Sequence, residues 1–190
     1  YQVHLIADEI AVGFGRTGTL FACNQADITP DFLCLSKGLS GGYLPLSVVM
    51  TSDTVFQAFY DDKTAQAFLH THSHTGNALA CRAALATLDI FEHDHVIEAN
   101  KIKAAYLNKI AAPLADHSKV RNFRNCGMIW AFEVETDDRD FAAKCFQAGL
   151  KQQLILRPLG KTVYFMPPYV ISEQEIDLLV NGTRHVLNTL

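Results

Sequence analysis

Residues 3–10, Val3-His4-Leu5-Ile6-Ala7-Asp8-Glu9-Ile10, are apolar almost throughout. That pattern predicts a strand buried on both faces of a parallel sheet. Asp8 and Glu9 sit near its C-terminal end, where open α/β sheets place their chemistry. A loop containing Gly13, Gly15 and Gly18 follows, then a polar stretch to the turn Thr29-Pro30-Asp31. Residues 32–35 (Phe-Leu-Cys-Leu) predict a second short buried strand, ended by Ser36-Lys37-Gly38 and the flexible run Ser40-Gly41-Gly42. Residues 44–51 predict a third strand, and Ser52-Asp53 is an N-cap signal for a helix over 54–60. Residues 76–92 predict a helix rich in small side chains, suited to close packing on a sheet. Residues 94–116 place Val96, Ile97, Ile102, Ala105, Leu107, Ile110 and Leu114 at helical spacing, the mark of a long amphipathic helix.

The pattern changes after Ser118. A strand is expected over 128–135, a helix over 141–151, and short strands over 154–157 and 163–166 flanking a Pro-Leu-Gly turn. A last helix over 173–190 is introduced by Ser172, with Glu175 three residues on, a capping box. The expected organisation is an α/β region over 1–93, a linking helix over 94–117, and a smaller α+β unit over 118–190.

Composition narrows the function classes. The 190 residues are 49% hydrophobic, enough for one sizeable core or for one domain plus part of another. That content excludes disorder. Lys and Arg total 16 against 20 Asp and Glu, with no long run of either sign, so the basic stripe of a nucleic-acid binder is missing. No apolar stretch approaches the roughly 18–20 residues that span a bilayer, and no basic-then-apolar leader opens the chain. The five cysteines (Cys23, Cys34, Cys81, Cys126, Cys145) are scattered and odd in number. They are expected to be reduced, mostly buried thiols of a cytoplasmic protein rather than a disulfide frame or zinc site. The chain opens on Tyr1 and enters an apolar run at once, as a piece of a larger protein would.

Three features carry candidate chemistry. Gly13-Phe14-Gly15-Arg16-Thr17-Gly18 matches G-x-G-x-x-G after a strand, which brings in a dinucleotide-binding oxidoreductase. That fingerprint needs glycines that open a helix. Here Thr19-Leu20-Phe21-Ala22-Cys23-Asn24-Gln25 shows no helical periodicity, and Asp31 precedes the second strand instead of ending it. A glycine loop making a tight turn is the plainer reading. His70, His72 and His74 alternate, with His93 and His95 further on. Alternation puts three imidazoles on one face of an extended segment, as a metal would require. No carboxylate or cysteine lies nearby to complete a shell, and loop histidines more commonly hydrogen-bond locally.

Lys37 ends an apolar run in a stretch with almost no other charge. A lysine in partly apolar surroundings becomes a usable amine nucleophile, the requirement of Schiff-base chemistry; alternatively it snorkels from a strand end into solvent. Asp8 shifts the balance towards chemistry. A carboxylate ending one strand and an amine ending a nearby one can address a flat ring such as pyridoxal phosphate, which needs a lysine for its aldehyde and an acid for its pyridine nitrogen.

The run Leu5-Ile6-Ala7-Asp8-Glu9-Ile10, then Gly13-Phe14-Gly15-Arg16-Thr17-Gly18, Pro30-Asp31 and Leu35-Ser36-Lys37-Gly38-Leu39 resembles the signature of class III (ornithine-type) pyridoxal phosphate aminotransferases. The resemblance continues through Thr75-Gly76-Asn77-Ala78-Leu79-Ala80-Cys81 and covers essentially the whole chain. It implies part of a fold type I large domain followed by a small α+β C-terminal domain. Residues 156–169, Leu-Arg-Pro-Leu-Gly-Lys-Thr-Val-Tyr-Phe-Met-Pro-Pro-Tyr, look most like the biotin-pathway branch, whose acceptor is the keto acid 8-amino-7-oxononanoate and whose usual donor is S-adenosylmethionine. Another ω-aminotransferase of the same family is the neighbouring alternative.

By the same resemblance Lys37 is the lysine that takes the cofactor's aldehyde and moves the proton, and Asp8 partners the pyridine nitrogen. Ser73 falls where the family hydrogen-bonds the cofactor phosphate, normally across a homodimer. Arg157 matches the arginine that pairs with the keto acid's carboxylate, and Arg16 lies near the substrate pocket. Ala11-Val12 departs from the family pattern, where many relatives have a polar residue before the first glycine. The match corresponds to the second half of the family's chain. The first half supplies a glycine/serine loop around the phosphate, an aromatic that stacks on the ring, and substrate-side Tyr and Trp residues.

Overall fold

The computed structural model describes residues 3–190. The chain forms two compact units, one ending at Ile97 and the other running from Glu98 to Leu190. Both mix helix and sheet.

Among the described residues the first unit is built on a three-stranded sheet in the order β1 (Ile6–Asp8), β2 (Phe32–Leu35), β3 (Val48–Thr51). β1 and β2 run parallel, with Ile6 opposite Phe32 and Asp8 opposite Cys34, whereas β3 is antiparallel to β2. Asp31 ties the lower edge of this sheet. Its carboxylate accepts from Leu5 N at 2.7 Å, and its carbonyl accepts from Thr51 Oγ1 at 2.9 Å. The bond from the Leu5 amide holds the Asp31 carboxyl below the usual carboxylate range. Helices α1 (Cys23–Ala26), α2 (Asp53–Gln57) and α3 (Ala78–His93) complete the unit. Ser52 Oγ caps α2 through Val55 N at 3.4 Å, and Asn77 Oδ1 caps α3 by accepting from Leu79 N and Ala80 N at 3.0 and 3.1 Å.

Two expectations change here. The first strand contracts from 3–10 to Ile6–Asp8, because Glu9 onward turns into the glycine loop. Nor is it buried on both faces: Ile6 is 64% exposed, and so is Val49 on β3. The small core of this unit (Phe14, Leu35, Leu39 and Ala84, with Phe21, Leu33, Leu46 and Phe91 against it) leaves these positions uncovered. The run Ser40-Gly41-Gly42 begins at the end of a short 3-10 helix, Lys37–Ser40.

The second unit is an antiparallel sheet, β4 (Val120–Cys126), β5 (Ile129–Val134) and β6 (Thr162–Phe165), with most of α4 (Val96–Ala115) and with α5 (Phe141–Lys151) and α6 (Glu173–Thr189). Strand β5 alternates strictly, sending Trp130, Phe132 and Val134 inward. They pack with Leu107, Leu114, Phe165, Ile176 and Leu187 into an extensive core. The indole of Trp130 is saved from a buried, unmade bond by Asn108 Oδ1 at 2.6 Å. Strand β4 escapes a pattern-based reading because Arg121, Asn122, Arg124 and Asn125 break its alternation, and a bulge with Asn122 at φ 52° shifts its register. It is held by pairing with β5 and by the ion pairs Arg121–Glu135 and Arg124–Glu133. The strand expected over 154–157 does not form. Leu154 N instead caps the end of α5 on Gly149 O at 2.9 Å, and the pairing that leads into β6 is the single bridge Leu159–Thr162.

All five cysteines are free, but only Cys145 is buried, and burial pushes its thiol up to about 11. Cys23 and Cys34 are half-buried and Cys81 and Cys126 exposed, which corrects the expectation of mostly buried thiols. Among the described residues no helix is long and apolar enough to cross a membrane.

The capping box of α6 is complete: Glu175 N donates to Ser172 Oγ, and Ser172 N donates to Glu175 Oε2 at 2.7 Å. Ser172→Ala should therefore cost about 1 kcal/mol of stability in chemical denaturation. The bond from the Ser172 amide lowers the Glu175 carboxyl below the usual glutamate range. Its contribution is present above the unfolded-state value and is lost as pH falls through the lowered one. Glu175→Gln should thus lower Tm at pH 7, and the gap to the parent should close under acid.

Candidate active site

The parallel pairing of β1 and β2 decides which side chains meet. Glu9 N donates to Cys34 O at 3.0 Å, carrying the ladder one residue beyond Asp8. Asp8 therefore leaves the sheet at the C-terminal end of β1, and Lys37 leaves it three residues past Cys34 at the same end of β2. Both are exposed. The Asp8 carboxylate is oriented by Ile10 N, which donates to Oδ1 at 3.0 Å. A carboxylate and a primary amine thus stand on neighbouring parallel strand ends, able to act together on one small molecule.

Lys37 adopts φ 44°, in the left-handed region. For a residue with a side chain that conformation costs about 1–2 kcal/mol, and such strain gathers at functional sites. The structure around it holds the conformation in place. Leu39 N closes the 3-10 turn on Ser36 O at 3.0 Å, Ser36 Oγ donates to Leu46 O at 2.7 Å, and Ser40 Oγ to Leu44 O at 2.6 Å. Gly41 and Gly42, both at positive φ, let the chain leave the turn.

Glu9, beside Asp8, is a buried carboxylate at 2% exposure. Its two oxygens accept from Ala22 N and Cys23 N, each at 2.7 Å, and its carbonyl accepts from Gly13 N at 2.9 Å. It clamps both ends of the glycine loop and satisfies the first free amides of α1. Burial, with Glu9 alongside, holds the Cys23 thiol above its ordinary range. The loop packs inward: Gly13, Phe14 and Gly15 are buried, and the helix that follows starts only at Cys23. A dinucleotide cradle needs glycine amides open to a pyrophosphate at a helix start, so the dinucleotide reading is corrected here. Sequence reasoning placed Glu9 at a strand end and missed its role. The signal available was a charge set inside an otherwise apolar run.

Arg16 is half-buried in the glycine loop, and Ser73 is exposed in the turn 73–76 ahead of α3. That turn is tied by Thr71 Oγ1 to Thr75 Oγ1 at 2.8 Å and by His74 N to His72 Nδ1 at 3.1 Å. His72 thus spends a ring nitrogen on the backbone, and His93 Nδ1 bonds Asp89 O at 2.7 Å. Among the described residues no three His, Cys, Asp or Glu side chains gather as a metal would need. Arg157 belongs to the second unit, exposed between Leu156 and Pro158 after α5.

The family described as aminotransferase class-III matches residues 1–187. This chain belongs to the class III aminotransferases. The chain is 49% identical over 196 residues to adenosylmethionine-8-amino-7-oxononanoate aminotransferase of Helicobacter pylori, covering 100% of itself and 45% of that relative. It is 39% identical to the protein of that name from Nitratidesulfovibrio vulgaris, covering 97% of itself and 36% of the relative. Among solved structures, the Methanocaldococcus jannaschii enzyme of the same name superposes with a TM-score of 0.88 at 33% identity, over 97% of this chain and 46% of that one. A Bacillus anthracis aminotransferase superposes with a TM-score of 0.91 at 28% identity, over 98% and 45%. The chain thus spans less than half the length of these relatives. The class III aminotransferases are pyridoxal phosphate enzymes, and the fold is accordingly part of the fold type I architecture.

In this class III chain the Glu9 clamp should be measurable directly. Glu9→Gln turns one acceptor into a donor facing a backbone N–H, and should lower stability by about 2 kcal/mol in urea unfolding, whereas an exposed pair such as Arg82–Asp89 should contribute little when broken.

Proposed function

We propose that the protein to which this chain belongs is a pyridoxal phosphate-dependent aminotransferase of biotin biosynthesis, converting 8-amino-7-oxononanoate to 7,8-diaminononanoate with S-adenosylmethionine as amino donor. It would act as a cytoplasmic homodimer on small-molecule substrates, with neither nucleic acid nor membrane as a partner. On this reading residues 1–93 are the C-terminal part of the cofactor-binding domain, 94–117 a linking helix, and 118–190 the small domain. The observation that carries the proposal is the pairing of Asp8 with Cys34, which sets Asp8 and the strained Lys37 on neighbouring parallel strand ends.

The donor set fits the cofactor: an exposed primary amine for its aldehyde and an oriented carboxylate for its ring nitrogen. When bound, pyridoxal phosphate supplies an electron sink for the pair released at the donor's carbon. The Asp8 carboxylate would accept the pyridinium N–H and keep that nitrogen charged. Lys37 Nζ would be the amine that holds the cofactor through its aldehyde and, once freed, would serve as the general base and acid that moves the donor's proton. Ser73 Oγ would hydrogen-bond the cofactor phosphate across the dimer. The Arg157 guanidinium grips the keto acid's carboxylate through two parallel bonds, and Arg16 lines the substrate pocket.

Borohydride reduction of the full-length protein loaded with pyridoxal phosphate should leave a pyridoxyl adduct on the peptide carrying Lys37. Lys37→Ala should abolish the adduct and lower kcat by about 10²–10⁴-fold; labelling elsewhere with activity retained would overturn the assignment. Arg157→Ala should raise KM for the keto acid by about tenfold or more, the loss of a charge-assisted bond. Turnover with lysine but not with S-adenosylmethionine would reassign the donor, and turnover of a different keto acid would move the protein to another ω-aminotransferase of the family.

A further inference from the structure

We infer that the glycine loop is a positioning device for Lys37, with Phe14 as its positioning residue; the inference rests on the aminotransferase reading above. Phe14 is 3% exposed and held at φ 55°. Its side chain lies directly on the backbone that follows Lys37: a Cβ placed on Gly38 would meet Phe14 Cβ at 3.0 Å, Cδ2 at 3.1 Å and Cγ at 3.2 Å. Gly38 is therefore glycine because Phe14 occupies the space beside it. Two residues in the left-handed region, one on each side of this contact, hold each other in place.

The ring itself is braced from two directions. Phe21, at the far end of the loop, meets it edge-on at 5.7 Å, and Phe91 on α3 does so at 6.2 Å. The loop is closed on itself by Gly15 N to Leu20 O at 3.2 Å. Its two ends are fastened to Glu9, through Gly13 N on the carbonyl and through Ala22 N and Cys23 N on the carboxylate. Glu9 follows Asp8 directly. One continuous set of contacts thus runs from the strand end that presents Asp8, through the loop, to the backbone beneath Lys37.

This has a chemical consequence. An amine that must bond a fixed carbon and then carry a proton has to be held to within about 0.5 Å. Lys37 is exposed, so its own side chain supplies little restraint. The restraint comes from its backbone, held by the bonds of Ser36 and Ser40 and by Phe14 against Gly38, and withdrawing Phe14 would loosen it. Phe14 acts through Lys37 and need touch neither substrate nor cofactor.

The test uses the full-length enzyme, in the parent and in Phe14→Ala and Phe14→Leu forms. Three quantities are read: kcat against KM, the pH midpoint of the bound cofactor's visible absorbance, and hydrogen exchange of the segment 36–41 in the cofactor-free protein. Phe14→Ala should lower kcat by about 10–100-fold, in line with a displacement of about 1 Å, with KM little changed. It should also move the absorbance midpoint and speed exchange in 36–41. Phe14→Leu, which keeps most of the bulk, should fall between the two, and it decides the matter by the same readouts if Phe14→Ala does not fold. Parental kcat and parental absorbance midpoint in the folded variant overturn the inference, as does a loss of activity that merely follows the loss of folded protein. A parent whose Lys37 takes no borohydride label overturns the aminotransferase reading itself; a labelled parent with indifferent Phe14 variants overturns only the positioning role.

Discussion

Three residue pairings between β1 and β2, ending with Asp8 opposite Cys34, govern where Asp8 and Lys37 stand. Parallel strands release their side chains at the same end of a sheet. An antiparallel pairing of the same two segments would have sent the carboxylate and the amine to opposite ends. Because the ladder carries on through Glu9 N to Cys34 O, Glu9 points inward as a buried anchor while Asp8 stays outside. Period-two alternation thus divides two adjacent acids between two tasks. One faces outward at the strand end. The other holds the loop on which the neighbouring turn rests.

The two units differ in how they are held. The second has a dense apolar core in which Trp130, Phe132, Leu107 and Leu187 are fully excluded from water, with its buried indole satisfied and its last helix opened by a complete capping box. The first has a small core and keeps apolar side chains such as Ile6, Val49 and Tyr60 exposed. Its order comes more from specific polar fastenings: Asp31 on the strand edge, Glu9 on the glycine loop, Ser36 and Ser40 on the turn after β2. Ser36 and Ser40 flank Lys37 and Glu9 holds the neighbouring loop, while Asp31 fastens the opposite end of the strands. Lys37 stands in the unit with the smaller apolar core.

Strongly periodic segments were legible as they stood. The amphipathic pattern over 94–116 is α4, the pattern over 141–151 is α5, and Ser172 with Glu175 opens α6 with its full capping box. Other elements were not legible, each for a physical reason. Strand β4 is polar at most positions and exists because β5 pairs with it. The apolar residues 154–157 look like a strand, but Leu154 spends its amide on the end of α5. Short α1 has no apolar stripe; its first amides are satisfied by Glu9, which lies 13 and 14 residues earlier in the chain. Of the candidate site, Lys37 and Asp8 stood out as charges ending apolar runs. Glu9 and Phe14 did not, because a buried carboxylate and a wedged ring leave no periodic trace.

By itself, then, the order of residues determined what is local: which segments coil, which extend, where helices start, and that Asp8, Lys37 and the glycines between them form a family signature. Such features depend on neighbours a few positions away. Only the tertiary structure decided that β3 joins antiparallel, that the G-x-G-x-x-G loop packs inward on Phe14, and that Lys37 is held at φ 44°. Each of these depends on groups distant along the chain. A loop's direction is set by whatever accepts its amides, and a strained backbone persists only where packing from other segments outweighs its cost.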